Sequence, residues 1–175
     1  MNFNFKYFDT IDINSLSNKL ESLDWNYYKF RQIAHKVHAE TLTVPLLFDE
    51  LLQKVKIHRD FGLFISELEK IKAILSEKLG KGEFQSALLI NLPAGNKIKR
   101  HIDKGENFKK YHRIHIPIQT NSKCFFEVDN EIINMKEGEI WEINNDDKYH
   151  SVENAGETDR IHLLIDWKII PNNLI

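Results

Sequence analysis

A chain of 175 residues, 42% hydrophobic and 29% charged, has the size and composition of one globular domain with its own core. A formal net charge of −2 excludes a global electrostatic pull toward nucleic acid or an anionic membrane. No run approaches the roughly 18 apolar residues that a membrane-spanning helix requires. Cys124 is the only cysteine, so an intrachain disulfide and a thiolate zinc site are excluded, and a reducing cytoplasm is the expected setting.

In chain order, Met1 to Asp9 mixes Phe with Asn, Lys and Asp and lacks the charged-then-apolar pattern of a secretory leader. Leu16, Leu20 and Leu23 fall at helical spacing, with Asp12, Asn14 or Ser15 as the N-cap. Val37 to Phe48, rich in Thr, Val and Leu, reads as an extended strand. Phe64, Leu68, Ile71, Leu75 and Leu79 form the apolar stripe of a second helix, which Gly80 ends.

Beyond about Phe84 the hydrophobic period changes from 3.6 to 2. Ser86–Leu92, Arg113–Ile118, Cys124–Val128, Glu131–Met135, Ile140–Ile143, His150–Asn154 and Arg160–Ile169 read as short strands. Turn signals separate them, among them Pro93-Ala94-Gly95, Asp129-Asn130, Glu137-Gly138 and Asn144–Asp147. Asp129-Asn130 suits a two-residue hairpin, since Asn and Asp tolerate positive φ. The pattern predicts a mainly β fold with flanking helices, an antiparallel sandwich or barrel. It forms a single domain over 1–175, with a helix-rich part (1–82) covering a β core (83–170).

Five of the eight histidines lie between His101 and His162. In a strand, residues i and i+2 share a face, so His101-Ile102-Asp103 aims an imidazole and a carboxylate at one point. One further His from a distant strand would complete a two-His-one-carboxylate set, which leaves three positions of an octahedral iron(II) open. The spacing alone is weak, because His58-Arg59-Asp60 repeats it at the start of the second helix, where i and i+2 diverge. That copy reads as a polar helix start.

His150 follows the polar loop Asn144–Asp147 and opens a strand. In the last strand, alternation places Arg160, His162, Leu164 and Asp166 on one face and Ile161, Leu163, Ile165 and Trp167 on the other. If the first face lines an interior, Arg160 is a buried cation that needs an anion. A dicarboxylate ligand would serve, and so would an internal pair with Asp166 or Glu153. Lys97, Lys99, Arg100, Lys104, Lys109, Lys110 and Arg113 concentrate positive charge against Asp103 and Glu106, which reads first as a solvated basic loop. Trp141, Phe125 and Phe126 read as core aromatics.

The runs Arg113-Ile114-His115-Ile116-Pro117-Ile118-Gln119-Thr120-Asn121, Glu137-Gly138-Glu139-Ile140-Trp141, His150-Ser151-Val152-Glu153-Asn154 and Asp159-Arg160-Ile161-His162-Leu163 occur in an order and spacing that resembles the aspartyl/asparaginyl β-hydroxylase family. The likeness is to its bacterial branch, which includes free-proline hydroxylases, and spans roughly Gln85 to Trp167. Arg31-Gln32 and His38-Ala39-Glu40-Thr41 match more loosely.

The resemblance implies a double-stranded β-helix (jelly roll, cupin-like) and an iron(II)- and 2-oxoglutarate-dependent dioxygenase. His101, Asp103 and His150 would bind the metal, and Arg160 the distal carboxylate of the cosubstrate. It also places Arg113 and His115 in the active-site wall, where they would contact cosubstrate or a substrate carboxylate. His162 would support Arg160 from the same face, with Asn91 a weaker candidate. Arg31, Gln32, His38 and Thr41 are candidates for the substrate side. The expected partners are molecular oxygen and a small substrate, an amino acid or derivative, with no nucleic acid or membrane. A zinc hydrolase with the same ligands, and a non-catalytic cupin-like binding protein, are the competing classes.

Overall fold

The computed structural model describes residues 2–49, 54–103, 110–146 and 148–171. Lys104, Glu106, Lys109 and Asp147, named above, lie outside the described residues. The chain begins with strand β1 (Phe5–Thr10), helix α1 (Asn14–Ser17), a 3-10 turn (Leu20–Ser22), helix α2 (Phe30–Ala34) and a second 3-10 turn (Lys36–His38). Strands β2 (Leu42–Phe48) and β3 (Lys56–Ile57) precede a third 3-10 turn (Phe61–Phe64), which leads into helix α3 (Ile65–Leu79). Eight further strands follow: β4 (Gly82–Leu92), β5 (Lys97–His101), β6 (His112–Gln119), β7 (Cys124–Val128), β8 (Glu131–Ile133), β9 (Glu139–Ile143), β10 (His150–Asn154) and β11 (Arg160–Ile169).

Two antiparallel sheets result: a large one in the order β1-β9-β6-β11-β4-β2-β3 and a small one in the order β5-β10-β7-β8. This is the expected jelly-roll arrangement. Strand β11 sits inside the large sheet between β4 and β6, and its residues from Arg160 to Trp167 are all buried. Its two faces meet different environments. Ile161, Leu163, Ile165 and Trp167 join Leu89 of β4 and Ile114, Ile116 and Ile118 of β6 in a core that the leading segments cover from outside. That cover consists of Leu16, Leu20 and Leu23, and of Phe64, Leu68, Ile71 and Leu75 on the α3 stripe. Gly80 ends α3 at φ +104. The inner face looks toward the small sheet across a second core of Leu92, Ile98, Phe126, Val128, Ile143 and Val152.

Several elements depart from expectation. The first leucine stripe is not one helix but α1 and a 3-10 turn, with Ile13 at the N-cap position. Asp12 instead accepts the backbone N–H of Asn14 through Oδ1 at 2.9 Å. The extended run starts only at Leu42, because Lys36–His38 is a 3-10 turn. Strands β1 and β5 were not foreseen, and β8 stops at Ile133. Both are short, carry little apolar alternation and are held by their neighbours β9 and β10. The Asp129-Asn130 hairpin forms with Asp129 at φ +54. Phe125 is 41% exposed and is not core, Trp141 is half-buried against Phe5 and Tyr7, and Phe126 is buried. No helix among the described residues is long and apolar enough to cross a membrane.

Gly138 ties the chain start to the sheet. Its N–H donates to the carbonyl of Pro117 and its carbonyl accepts from the N–H of Ile11, both at 2.9 Å. It holds φ +79, and a Cβ there would lie 2.3 Å from the Ile11 carbonyl oxygen. Gly138→Ala therefore combines left-handed backbone strain with a backbone clash. It should lower stability by about 2–4 kcal/mol, read as a lower urea midpoint at unchanged slope. An unchanged midpoint would contradict this account of the turn.

Candidate metal centre and its cavity

Strands β5 and β10 are antiparallel neighbours in which His101 lies directly opposite His150. Their ring centroids are 4.2 Å apart. Asp103, two residues beyond β5, joins them, and one ligand atom from each of the three lies within 4.8 Å of the others. His101 Nδ1 is 2.7 Å from the carbonyl of Lys99, and His150 Nδ1 is 3.3 Å from that of Lys148. A ring that donates through Nδ1 leaves the Nε2 lone pair facing the shared point. His101 Nε2 is buried without a hydrogen-bond partner and stands 3.6 Å from Asp103 Oδ1, while His150 Nε2 is 3.8 Å from Asp103 Oδ2. An orphaned buried acceptor beside an imidazole and a carboxylate is a donor set that fits a divalent first-row metal.

Burial and neighbouring charges set the protonation of His150 and Asp103. Burial, against the pull of Asp103, pushes His150 down to about 4, so its ring is neutral at neutral pH. Burial alone would raise the Asp103 carboxyl, but the Arg113 guanidinium and a hydrogen bond from Asn145 hold it well below the usual range. Arg113 donates to Asp103 Oδ2, as does Asn145 Nδ2 at 3.1 Å. On its other edge Arg113 donates from Nε and Nη2 to the two oxygens of Asp166, at 2.9 and 3.2 Å. Ser86 Oγ donates to Asp166 Oδ2 at 2.8 Å.

The three groups open into a cavity of about 550 Å³ between the sheets. Arg113, His115, Arg160 and His162 line it, as do Arg31 and His38. Arg160 is 3% exposed, donates from Nη2 to His162 Nδ1 at 3.0 Å and lies 5.8 Å from the Phe126 ring centroid. Among the described residues no carboxylate pairs with it: Asp166 is engaged by Arg113, and Glu153 is on the exposed side of β10. Burial lowers its pKa to about 10, which leaves it cationic at neutral pH. His115 packs against Phe126 and His162 with Nδ1 buried and unpartnered. Burial and then the Arg160 charge push both His115 and His162 well below the ordinary histidine range.

Other candidates go elsewhere. Asn91 Nδ2 donates to Asp159 Oδ2 at 2.8 Å, and Gln32 and Thr41 do not line the cavity. His58 meets the carbonyl of Phe48 at 3.1 Å and Asp60 pairs with Arg59, so the second His-x-Asp is structural. Lys97, Lys99, Arg100 and Lys110 are exposed. Asn145 was read only as part of a polar loop, and Phe126 only as core. Asn145 meets Asp103 across a sequence separation of 42, a contact that no local pattern encodes.

Comparison with known proteins agrees with this architecture. The fold is similar to an oxidoreductase of the 2OG-Fe(II) oxygenase family from Burkholderia pseudomallei, with a TM-score of 0.61 at 10% identity over 91% of this chain and 92% of that one. It is also similar to a prolyl-4-hydroxylase from Pseudomonas putida (TM-score 0.56, 10% identity, 97% and 95% covered). A third likeness is to a viral collagen prolyl hydroxylase of Paramecium Bursaria Chlorella virus-1 (TM-score 0.58, 7% identity, 97% and 98% covered). The family model described as aspartyl/asparaginyl beta-hydroxylase matches residues 11–169. A match across nearly the whole chain, together with the His-Asp-His cluster in the jelly-roll cavity, assigns it: the protein belongs to the aspartyl/asparaginyl β-hydroxylase family and is a hydroxylase.

Proposed function

We propose that this chain, acting as one catalytic domain, is an iron(II)- and 2-oxoglutarate-dependent dioxygenase that hydroxylates an unactivated C–H of an amino acid or similar small molecule. His101, Asp103 and His150 would hold the iron. The observation that carries the reading is that this cluster shares one cavity with Arg160, a buried guanidinium without a carboxylate partner among the described residues. A buried cation is costly unless an anion meets it, and the distal carboxylate of 2-oxoglutarate is such an anion. Bound there, iron and 2-oxoglutarate would supply the oxidising power drawn from molecular oxygen, with succinate and carbon dioxide released.

The chain's own residues set the stage for that chemistry. Arg160 grips the cosubstrate through paired charge-assisted hydrogen bonds. His162 accepts one guanidinium N–H at Nδ1, which turns the remaining donors into the cavity. His115, neutral and unpartnered at Nδ1, offers a further contact to the cosubstrate. Arg113, engaged by two carboxylates, orients Asp103. Leu88, Ile90 and Leu164 form an apolar wall that keeps water off the reacting centre. A zinc hydrolase would have no use for Arg160 beside its metal.

Four outcomes test this reading. His101→Ala should lose its bound iron, read by metal analysis after anaerobic loading, and Asn145→Ala, which removes one of two donors that orient Asp103 Oδ2, should weaken metal affinity about 10-fold or more. Arg160→Ala should raise the KM for 2-oxoglutarate by roughly 100-fold, and normal succinate formation by this variant at low cosubstrate would remove the assignment. Wild-type protein supplied with iron should release succinate from 2-oxoglutarate. Stoichiometric zinc with hydrolysis and no succinate would select the hydrolase instead.

A further inference from the structure

Three guanidiniums line the cavity among the described residues, and their surroundings are unequal. Arg113 is closed by Asp103 and Asp166. Arg160 is assigned above to the cosubstrate. Arg31, on α2, has no carboxylate partner among the described residues. Its Nη2 meets His38 Nε2 at 3.1 Å, and its Nη1 is buried with no hydrogen-bond partner. A guanidinium can only donate, so His38 Nε2 is the acceptor of that bond.

Arg31 occupies a different part of the cavity from Arg160. Its charge is felt together with those of Arg113, Asp103 and Asp166, and its partner His38 lies edge-on to the His101 ring at 5.6 Å. Arg160 sits instead among His162, Phe126 and Cys124. One 2-oxoglutarate has two carboxylates, of which one belongs to Arg160 and the other to the metal in the reading above. Neither is left for Arg31. Among the described residues no anion is hydrogen-bonded to Arg31, and the further molecule that the reaction brings in besides oxygen is the substrate.

We propose that Arg31 is a specificity-determining residue that binds the carboxylate of the substrate, so that the substrate is a small carboxylic acid with an apolar body lying along Phe48, Leu88, Ile90 and Leu164. The inference rests on the cosubstrate reading of Arg160. The four apolar residues form a separate cluster that faces the cavity, and they offer the uncharged part of such an acid a dry surface. His38 holds the guanidinium from behind, which leaves the Nη1 edge to reach the incoming carboxylate.

The test is a succinate-release assay with iron and 2-oxoglutarate. Free L-amino acids, their N-acetyl derivatives and aliphatic monocarboxylates are each compared with the corresponding carboxamide. At least one acid should raise turnover above the uncoupled rate where its amide does not. For that acid, Arg31→Gln should raise the KM about 10-fold or more, because a charge-assisted hydrogen bond is lost, and Arg31→Lys should recover part of it. The absorption band of the anaerobic iron–2-oxoglutarate complex should persist in both variants, which shows that they are folded and load cosubstrate. Equal stimulation by acid and amide, no stimulation by any acid, or an unchanged KM in Arg31→Gln overturns the inference. Absence of the band in the wild type overturns the cosubstrate reading itself. If Arg31→Gln does not fold, Arg31→Lys and the acid–amide comparison on the wild type decide.

Discussion

The site depends on one strand register. His150 faces His101 because β10 and β5 pair antiparallel in that alignment, and a shift of one residue would turn one of the two imidazoles out of the cavity. The alignment is held from both sides. On the other edge of β10, Val152 pairs with Phe126 and Asn154 with Cys124. Asn154 is fully buried and its amide donates to the carbonyls of Leu92 and Thr158, while its Oδ1 accepts from the N–H of Gly156. The far end of the strand is thus pinned across both sheets, and the near end carries His150.

Charge is the second organising constraint. The inner face of β11 presents Arg160, His162, Leu164 and Asp166 to the cavity between the sheets. Asp166 does not neutralise Arg160, which lies at the other end of that face. It spends its charge on Arg113, which in turn holds Asp103. That chain fixes Asp103 with a guanidinium whose other edge is already met by Asp166. Desolvation keeps His150, His115 and His162 neutral, so the cavity combines neutral nitrogen donors with cations aimed at anions.

Much of this was legible in the sequence, for definite reasons. Period-two alternation located β6, β7, β9, β10 and β11 because each has one apolar and one polar or differently packed face. The spacing of Phe64, Leu68, Ile71 and Leu75 located α3. Strands β1 and β5 escaped because edge pairing, not composition, makes them strands: Lys97–His101 reads Lys-Ile-Lys-Arg-His and holds its shape against β10. The His-x-Asp spacing could not separate His101 from His58, since only long-range pairing brings a second imidazole to one and not the other. Alternation also put Arg160 on one face with His162, so that Arg160 would be buried if that face lined an interior, as it does. It could not show which anion would meet it, because an anion can come from a distant strand or from a ligand; Asp166, on the same face, is about 20 Å along the strand at roughly 3.3 Å per residue and is out of reach.

The large sheet divides its labour by face. Its outer side carries a continuous aliphatic core beneath the helices, and its inner side carries the ionisable groups and the apolar wall of the cavity. Folding free energy is therefore concentrated on residues that never touch a ligand. Inward-facing positions such as Leu88, Ile90 or Leu164 can change shape while the outer core remains intact. Such a scaffold lets selectivity drift over evolutionary time without putting the barrel at risk, and it offers a natural partition for redesign, with one surface left alone and the other varied.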